Sequence, residues 1–178
     1  QLFGMTHTTN TLTYMTHFDD AAQKNQEALA VAKELGNQKW QAELEGYSGA
    51  ILKLRDGDLD AAKASAEAGA EMAGRIGAAE QEGYAEVILG LITWLRGEYE
   101  QSIGHYQRGL DARITSGLPY IQVSALCGLG VAHLDVSPRM SGETSKYHAK
   151  ALDLLEMPLG QVTGGMAWAD LGFCVMAS

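Results

Sequence analysis

The sequence predicts an all-α chain of about nine helices, arranged as consecutive antiparallel helix pairs. Three observations support this prediction. Only three prolines occur among 178 residues, and apolar residues make up 46% of the chain, a composition that favours helices. Four glycines, Gly36, Gly77, Gly117 and Gly160, each follow a helix-like segment and are 41, 40 and 43 residues apart, as expected of helix stops in a repeated unit. No segment shows the sustained alternation of apolar and polar residues that is typical of strands.

Each repeat of about 40 residues contains two helices separated by a tight turn. These turns fall at Thr16–Phe18, Gly57–Leu59 and Gly97–Tyr99 in the first three repeats. The predicted helices cover residues 3–15, 18–35, 39–55, 59–76, 79–96, 99–116, 119–135, 143–156 and 162–178. The repeats cover residues 2–37, 38–78, 79–118 and 119–160, with a partial fifth repeat over 161–178.

A short pattern near the end of the chain resembles a known repeat family. Trp168, Leu171 and Gly172 reproduce the Trp-x-x-Leu-Gly signature of tetratricopeptide repeats, and Leu89–Gly90 and Leu129–Gly130 repeat its Leu-Gly pair. The period is longer than usual, as in kinesin light chains and in bacterial signalling ATPases and nucleotide cyclases. The resemblance implies a right-handed superhelical array, or α-solenoid, in which the first helix of each repeat lines a concave wall.

Charge and composition exclude several classes of function. A formal net charge of -9 argues against nucleic acid as the main partner. The most apolar run, Val87–Leu95, is too short to span a bilayer, and the start of the chain has no signal-peptide pattern. Two isolated cysteines, Cys127 and Cys174, give no disulfide framework, which favours a reducing, cytoplasmic compartment. The chain ends within an apolar helical pattern, so we interpret it as a piece of a longer protein.

One acidic segment has partial spacing for a calcium loop. Asp56, Asp58, Asp60 and Glu67 occupy ligand positions of such a loop, but Ala61 stands where the loop needs glycine. A helix cap at Asp58 is the simpler interpretation. The histidines lack metal-ligand spacing, and neither a phosphate-binding loop nor a nucleophile motif occurs. We therefore predict no catalytic residue, no metal and no cofactor.

The helices that the resemblance places on the concave wall carry apolar residues at recurring positions. Spacings of three and four residues place them on one face of each helix. These predicted partner-binding residues, here called the apolar stripe, are Tyr47, Ile51, Leu54, Tyr84, Val87, Leu91, Trp94, Val131, Leu134, Phe173 and Met176. Acidic side chains, Glu43 and Glu86, are expected at its rim and favour a partner with basic residues around an apolar core.

The stripe predicts a protein-interaction module whose concave groove binds an apolar or amphipathic peptide or helix. The alternative is a regulatory domain that senses a ligand or peptide within a larger bacterial signalling protein, such as a cyclase, an ATPase or a transcription regulator. Two structural alternatives stay open. A tightly curled array would bury the stripe internally, and a missing part of the parent protein would cover it.

Two further features predict helix contacts. Ala62, Ala66, Gly69 and Ala70 recur at spacings of three and four, so this face of helix 59–76 is expected to approach its neighbours closely. The terminal helix 162–178 is apolar and has no partner helix after it. It is therefore expected to pair with a second copy of the chain, giving a homodimer.

Overall fold

The structure is a computed structural model, and it describes residues 2–14, 17–112, 120–136 and 141–156. In chain order the elements are α1 (Leu2–Tyr14), α2 (Phe18–Glu34), α3 (Gln38–Glu43), a π-helical turn (Leu44–Gly49), α4 (Ala50–Arg55), α5 (Leu59–Ile76), α6 (Ala79–Leu95), α7 (Tyr99–Asp111), α8 (Tyr120–Val136) and α9 (Ser141–Glu156). α3, the π turn and α4 follow one another without a break, so the described residues contain eight helical rods and no strand. For these residues the all-α prediction is confirmed.

Most helix boundaries lie within two residues of the predicted ones. The helix predicted over 99–116 is the exception, because the backbone of Ala112 is extended (φ -60°, ψ 136°) and α7 therefore ends at Asp111. The predicted helix 162–178, with its dimer contact, lies outside the described residues, as do two of the four predicted helix stops. Of the described helices, none has both the length and the apolar character needed to cross a membrane.

The described helix-ending glycines share one backbone arrangement. Their φ angles are positive, at 61° for Gly36, 78° for Gly57, 67° for Gly77 and 76° for Gly97. After each glycine, the next N–H donates to the carbonyl five residues earlier, as in the 2.9 Å bond from Asn37 to Ala32. This is the Schellman motif, whose left-handed residue favours glycine. The predicted stops and tight turns at these four positions are confirmed.

The first helix forms although threonine is a poor helix former. Four of its threonines, Thr6, Thr8, Thr9 and Thr13, donate their hydroxyls to carbonyls four residues earlier at 2.9–3.2 Å. Thr6 and Thr9 are buried. These hydroxyls therefore satisfy their hydrogen bonds within α1 and need no polar partner from another helix.

The chain divides into two compact bodies with the boundary inside α6. The N-terminal body is Gln1–Ile88 and the C-terminal body is Leu89–Ser178. In the N-terminal body, α2 packs on α1 and α3, while α5 packs on α3, the π turn and α4. In the C-terminal body, α8 packs on α7 and α9. The buried core of the C-terminal body includes Val123, Leu126, Cys127, Val131 and Ala151.

Two glycines bring the backbones of α5 and the π turn into contact. A Cβ atom added at Gly46 would lie only 2.7 Å from the Cα of Gly69, so neither position has room for a side chain. Ala62 and Ala66 of α5 are fully buried and Ala70 is partly buried. The predicted close approach of this face is therefore confirmed, and the α5 contact depends on residues with small side chains or none.

In the C-terminal body, aromatic rings pack against three glycines. The buried ring of Tyr106 on α7 lies against the backbones of α6 and α8, where Cβ atoms at Gly90 and Gly128 would come within 2.8 and 2.6 Å of ring carbons. Similarly, a Cβ at Gly130 would lie 2.9 Å from Cδ2 of His148 on α9. The glycines of both Leu-Gly pairs thus lie where a ring contacts the helix backbone.

Candidate binding surface

The N-terminal body carries five residues of the apolar stripe. Tyr47 lies in the π turn, Ile51 and Leu54 in α4, and Tyr84 and Val87 in α6. The rings of Tyr47 and Tyr84 have centroids 5.1 Å apart, inclined at 45°, a favourable distance for an aromatic pair. Tyr47 and Val87 are buried, whereas the other three side chains are partly exposed. The structure therefore brings the two tyrosines together and leaves one of them in partial contact with solvent.

The C-terminal body carries four more residues of the apolar stripe. Val131 is buried in its core, and Trp94 packs against that core while remaining partly exposed. The indole Nε1 of Trp94 donates to Oδ2 of Asp135 at 2.6 Å. This bond and the core contact hold the indole ring in one orientation. Leu91 and Leu134 are also partly exposed.

Burial divides the predicted residues into two groups. Three of them, Tyr47, Val87 and Val131, are 5–8% exposed and offer a partner little area. Six are partly exposed, namely Ile51, Leu54, Tyr84, Leu91, Trp94 and Leu134. Phe173 and Met176 lie outside the described residues. The assignment of the stripe to partner binding stays a prediction.

Four polar side chains meet in the N-terminal body, and this group was not predicted from the sequence. They are Asn10 of α1, Glu43 of α3, Ser48 of the π turn and Gln81 of α6, here called the polar cluster. Ser48 Oγ donates to Asn10 Oδ1 at 2.9 Å, and Gln81 Nε2 donates to Glu43 Oε2 at 3.1 Å. The last three are 1–8% exposed. The cluster therefore joins three helical rods through polar contacts inside the body.

The prediction that Glu43 lies at an exposed rim is wrong. The side chain is only 8% exposed. Glu43 precedes Tyr47 by four residues and Gln81 precedes Tyr84 by three, so each shares a helix face with a tyrosine of the pair. This spacing was the signal that could have located the cluster. Glu86, the other predicted rim residue, is partly exposed.

The environment of Glu43 favours its neutral form. Burial raises the pKa of its carboxyl above the ordinary value, and the negative charge of Glu80 acts in the same direction. Hydrogen bonds from Gln81 and Asn10 and the charge of Lys39 act in the opposite direction without reversing the shift. Burial is therefore the dominant cause.

The acidic segment before α5 serves as a helix cap. Asp58 Oδ1 accepts from the backbone N–H of Ala61 at 2.8 Å, and the carboxylate of Asp56 forms an ion pair with Arg55. In the described part of the chain, no group of three or more His, Cys, Asp or Glu side chains is placed to hold a metal ion. The interpretation of Asp58 as an N-cap is confirmed.

Replacing Asp58 with alanine is expected to lower the free energy of unfolding by about 0.5–2 kcal/mol, because α5 loses its capping acceptor. Asp58→Asn keeps a capping acceptor and is therefore expected to lower the free energy of unfolding much less. Urea denaturation followed by circular dichroism measures both changes. A rise in the melting temperature of the native chain on adding calcium would contradict the cap as the role of this segment.

Comparison with protein-family models finds none that matches the sequence, and comparison with curated proteins finds no significant match. The resemblance to tetratricopeptide repeats therefore stays a prediction. It depends on the repeat spacing, the Leu-Gly pairs and the Trp168–Gly172 signature, and this signature lies outside the described residues.

Proposed function

We propose that the chain is a tetratricopeptide-type α-solenoid, a right-handed superhelical array of about nine helices, that binds an apolar or amphipathic peptide or helix of another protein. The regular return of the Schellman turn about every 20 residues supports the array. The glycines of the Leu-Gly pairs also support the array, because rings of neighbouring helices pack against them. Binding is assigned to the apolar stripe, in the helix-in-groove manner of other helical receptors.

The observation that carries the proposal is the partial exposure of large apolar side chains on α6. Tyr84, Leu91 and Trp94 each keep part of their surface in water. Burying that surface against a partner is favourable by roughly 25 cal/mol for each Å². Aromatic residues held in fixed orientations lose little conformational freedom on binding and often dominate the affinity. The hydrogen bond from Trp94 to Asp135 provides such an orientation.

Charge favours a particular kind of partner. The chain has a formal net charge of -9, and Glu86 lies partly exposed on α6 between Tyr84 and Leu91 in sequence. A peptide with basic residues beside an apolar face would approach faster and bind with better charge complementarity than an acidic one. A cytoplasmic location, a reducing compartment that suits the buried Cys127, belongs to the same proposal.

Trp94→Ala is expected to weaken peptide binding by about 2 kcal/mol or more, which corresponds to roughly a 30-fold increase in Kd. The peptide is first selected from a displayed random library on the immobilised native chain. Its affinity for each variant is then measured by isothermal titration calorimetry. The loss is expected because the variant lacks an oriented aromatic anchor.

The matched control is Asp111→Ala on α7, an exposed residue whose carboxylate accepts from Gln107. This variant is expected to bind with nearly native affinity. Because Trp94 also packs in its own body, a second variant, Leu91→Ala, tests the surface with less effect on the core. Native affinity in both stripe variants, measured below their melting temperatures, would contradict the proposal.

A further inference from the structure

The polar cluster has an incomplete set of hydrogen bonds. Gln81 is 3% exposed, and its Oε1 atom is buried without a hydrogen-bond donor. Glu43 accepts from Gln81 Nε2 at 3.1 Å. Among the described residues, no lysine, arginine or histidine forms an ion pair with Glu43. A buried carboxylate without an ion-pair partner is costly even when it accepts hydrogen bonds, so burial disfavours the charged form of Glu43.

A single proton on Glu43 removes the buried charge. A neutral carboxylic acid has an O–H group, which can donate to an amide oxygen. The oxygen and nitrogen of a glutamine amide exchange places by a half-turn about χ3, and the two arrangements fill the same space. With the amide turned, Glu43 donates to Gln81 Oε1, while the amide nitrogen takes the position that the oxygen held.

We propose that Glu43 is carried as a neutral acid in the folded chain, bonded to the Gln81 side-chain oxygen, and that its ionisation is a pH-sensitive switch loosening the junction of α1, α3, the π turn and α6. The junction is held by the polar cluster, so a negative charge at its centre weakens the contacts between these rods. Tyr47 follows Glu43 by four residues, and Tyr84 follows Gln81 by three. The switch therefore also acts on the aromatic pair Tyr47–Tyr84.

The groups around the carboxyl determine the direction of the switch. The charged side chains that act on it are Glu80 of α6 and Lys39 of α3. α1 presents the uncharged amide of Asn10, while α2 and α5 contact the same rod through the uncharged residues Asn25 and Gly69. Burial raises the pKa of Glu43, so the folded chain holds this proton more tightly than the unfolded chain does. The stabilisation is fully present below the unfolded pKa and is lost as pH rises through the folded pKa.

The test compares the melting temperatures of the native chain and Glu43→Gln between about pH 5 and pH 8. The amide of the variant donates to Gln81 at every pH and never ionises. Near pH 5 we expect the variant and the native chain to melt at nearly the same temperature. Near pH 8 we expect the variant to melt about 2–4 °C above the native chain. Glu34→Gln removes an exposed carboxyl and is expected to show a constant difference across the same range.

A direct titration keeps the proposal testable if Glu43→Gln does not fold. The carboxyl carbon of Glu43 in the native chain is followed by carbon-13 NMR as pH rises. A midpoint above the ordinary glutamate range supports the neutral acid. A midpoint at or below that range, or a difference between Glu43→Gln and the native chain that does not change with pH, would overturn it.

Discussion

Gly69→Ala is expected to lower the free energy of unfolding by about 1–3 kcal/mol, even though alanine is a better helix former than glycine. The reason is that the new methyl group meets backbone on both sides. A Cβ at Gly69 would lie 2.8 Å from the carbonyl oxygen of Ala42 and closer still to the Cα of Gly46. Backbone atoms of two packed helices cannot move aside as the end of a long side chain can. Gly69→Leu is expected to be more damaging again.

The matched control for this substitution is Gly74→Ala on the same helix. A Cβ at Gly74 makes only an ordinary contact, 3.8 Å from Oε1 of Glu82. Its replacement is expected to raise the free energy of unfolding by about 0.5–1 kcal/mol, because alanine restricts the unfolded chain. Urea denaturation of both variants measures the difference in sign. The same sign for both would show that α5 does not pack on the π turn at backbone distance.

Gly128→Ala is the second substitution with a large expected effect, again about 1–3 kcal/mol of destabilisation. The added methyl group would enter the ring of Tyr106, with ring carbon Cε2 at 2.6 Å. The ring cannot retreat freely, because its Cγ and Cδ1 atoms lie against Gly90 of α6. Either the ring leaves its preferred rotamer or α7 and α8 separate, and both responses reduce stability.

A double-mutant cycle tests this explanation. In a Tyr106→Leu background the smaller side chain leaves room for the methyl group, so Gly128→Ala is expected to lower stability less than in the native chain. The coupling energy is expected to be about 0.5–3 kcal/mol. Gly104→Ala on α7, where the Cβ would lie 3.6 Å from Nη1 of Arg108, is the control and is expected to be neutral or stabilising. Additive effects of Gly128→Ala and Tyr106→Leu would rule out the ring contact as the cause.

Helix ends were predictable where their cause is local. A left-handed residue after a helix needs glycine, so Gly36 and Gly77 mark stops in the sequence and in the structure. Asp58 likewise caps α5 by bonding a residue three positions away. The end of α7 at Asp111 was missed, because no glycine or proline stands there and the extended Ala112 gives no local signal.

The π turn was not predictable because its causes lie elsewhere in the fold. The carbonyl of Leu44, its first residue, accepts from Asn25 of α2 at 3.1 Å, and Gly46 within it touches Gly69 of α5. π-helical bonding encloses one more residue than α-helical bonding, so the faces before and after Leu44–Gly49 are not in simple α-helical phase. A single period of 3.6 residues cannot describe both sides of such a turn.

The candidate surface was predicted in composition but not in exposure. Spacing identified which residues share a helix face, and Tyr47 and Tyr84 do lie together. Spacing alone does not tell how much of a face a neighbouring helix covers. Val131 is therefore buried and Leu134 partly exposed, although the spacing places both on one face of α8. The burial of Glu43 was missed for the same reason. Its charge favoured an exposed position, whereas its side chain lies on the buried face of α3.

The packing of α2 on α1 and α3, and of α8 on α7 and α9, joins segments that are close in sequence. Contacts of this kind form early in folding, because short loops close with little loss of entropy. During synthesis α1 and α2 are both complete before α5 leaves the ribosome, so these two helices pair before α5 is available. The contact of Gly46 with Gly69 forms later, when α5 arrives. A defect at that contact is thus expected to accelerate unfolding more than it slows the first steps of folding.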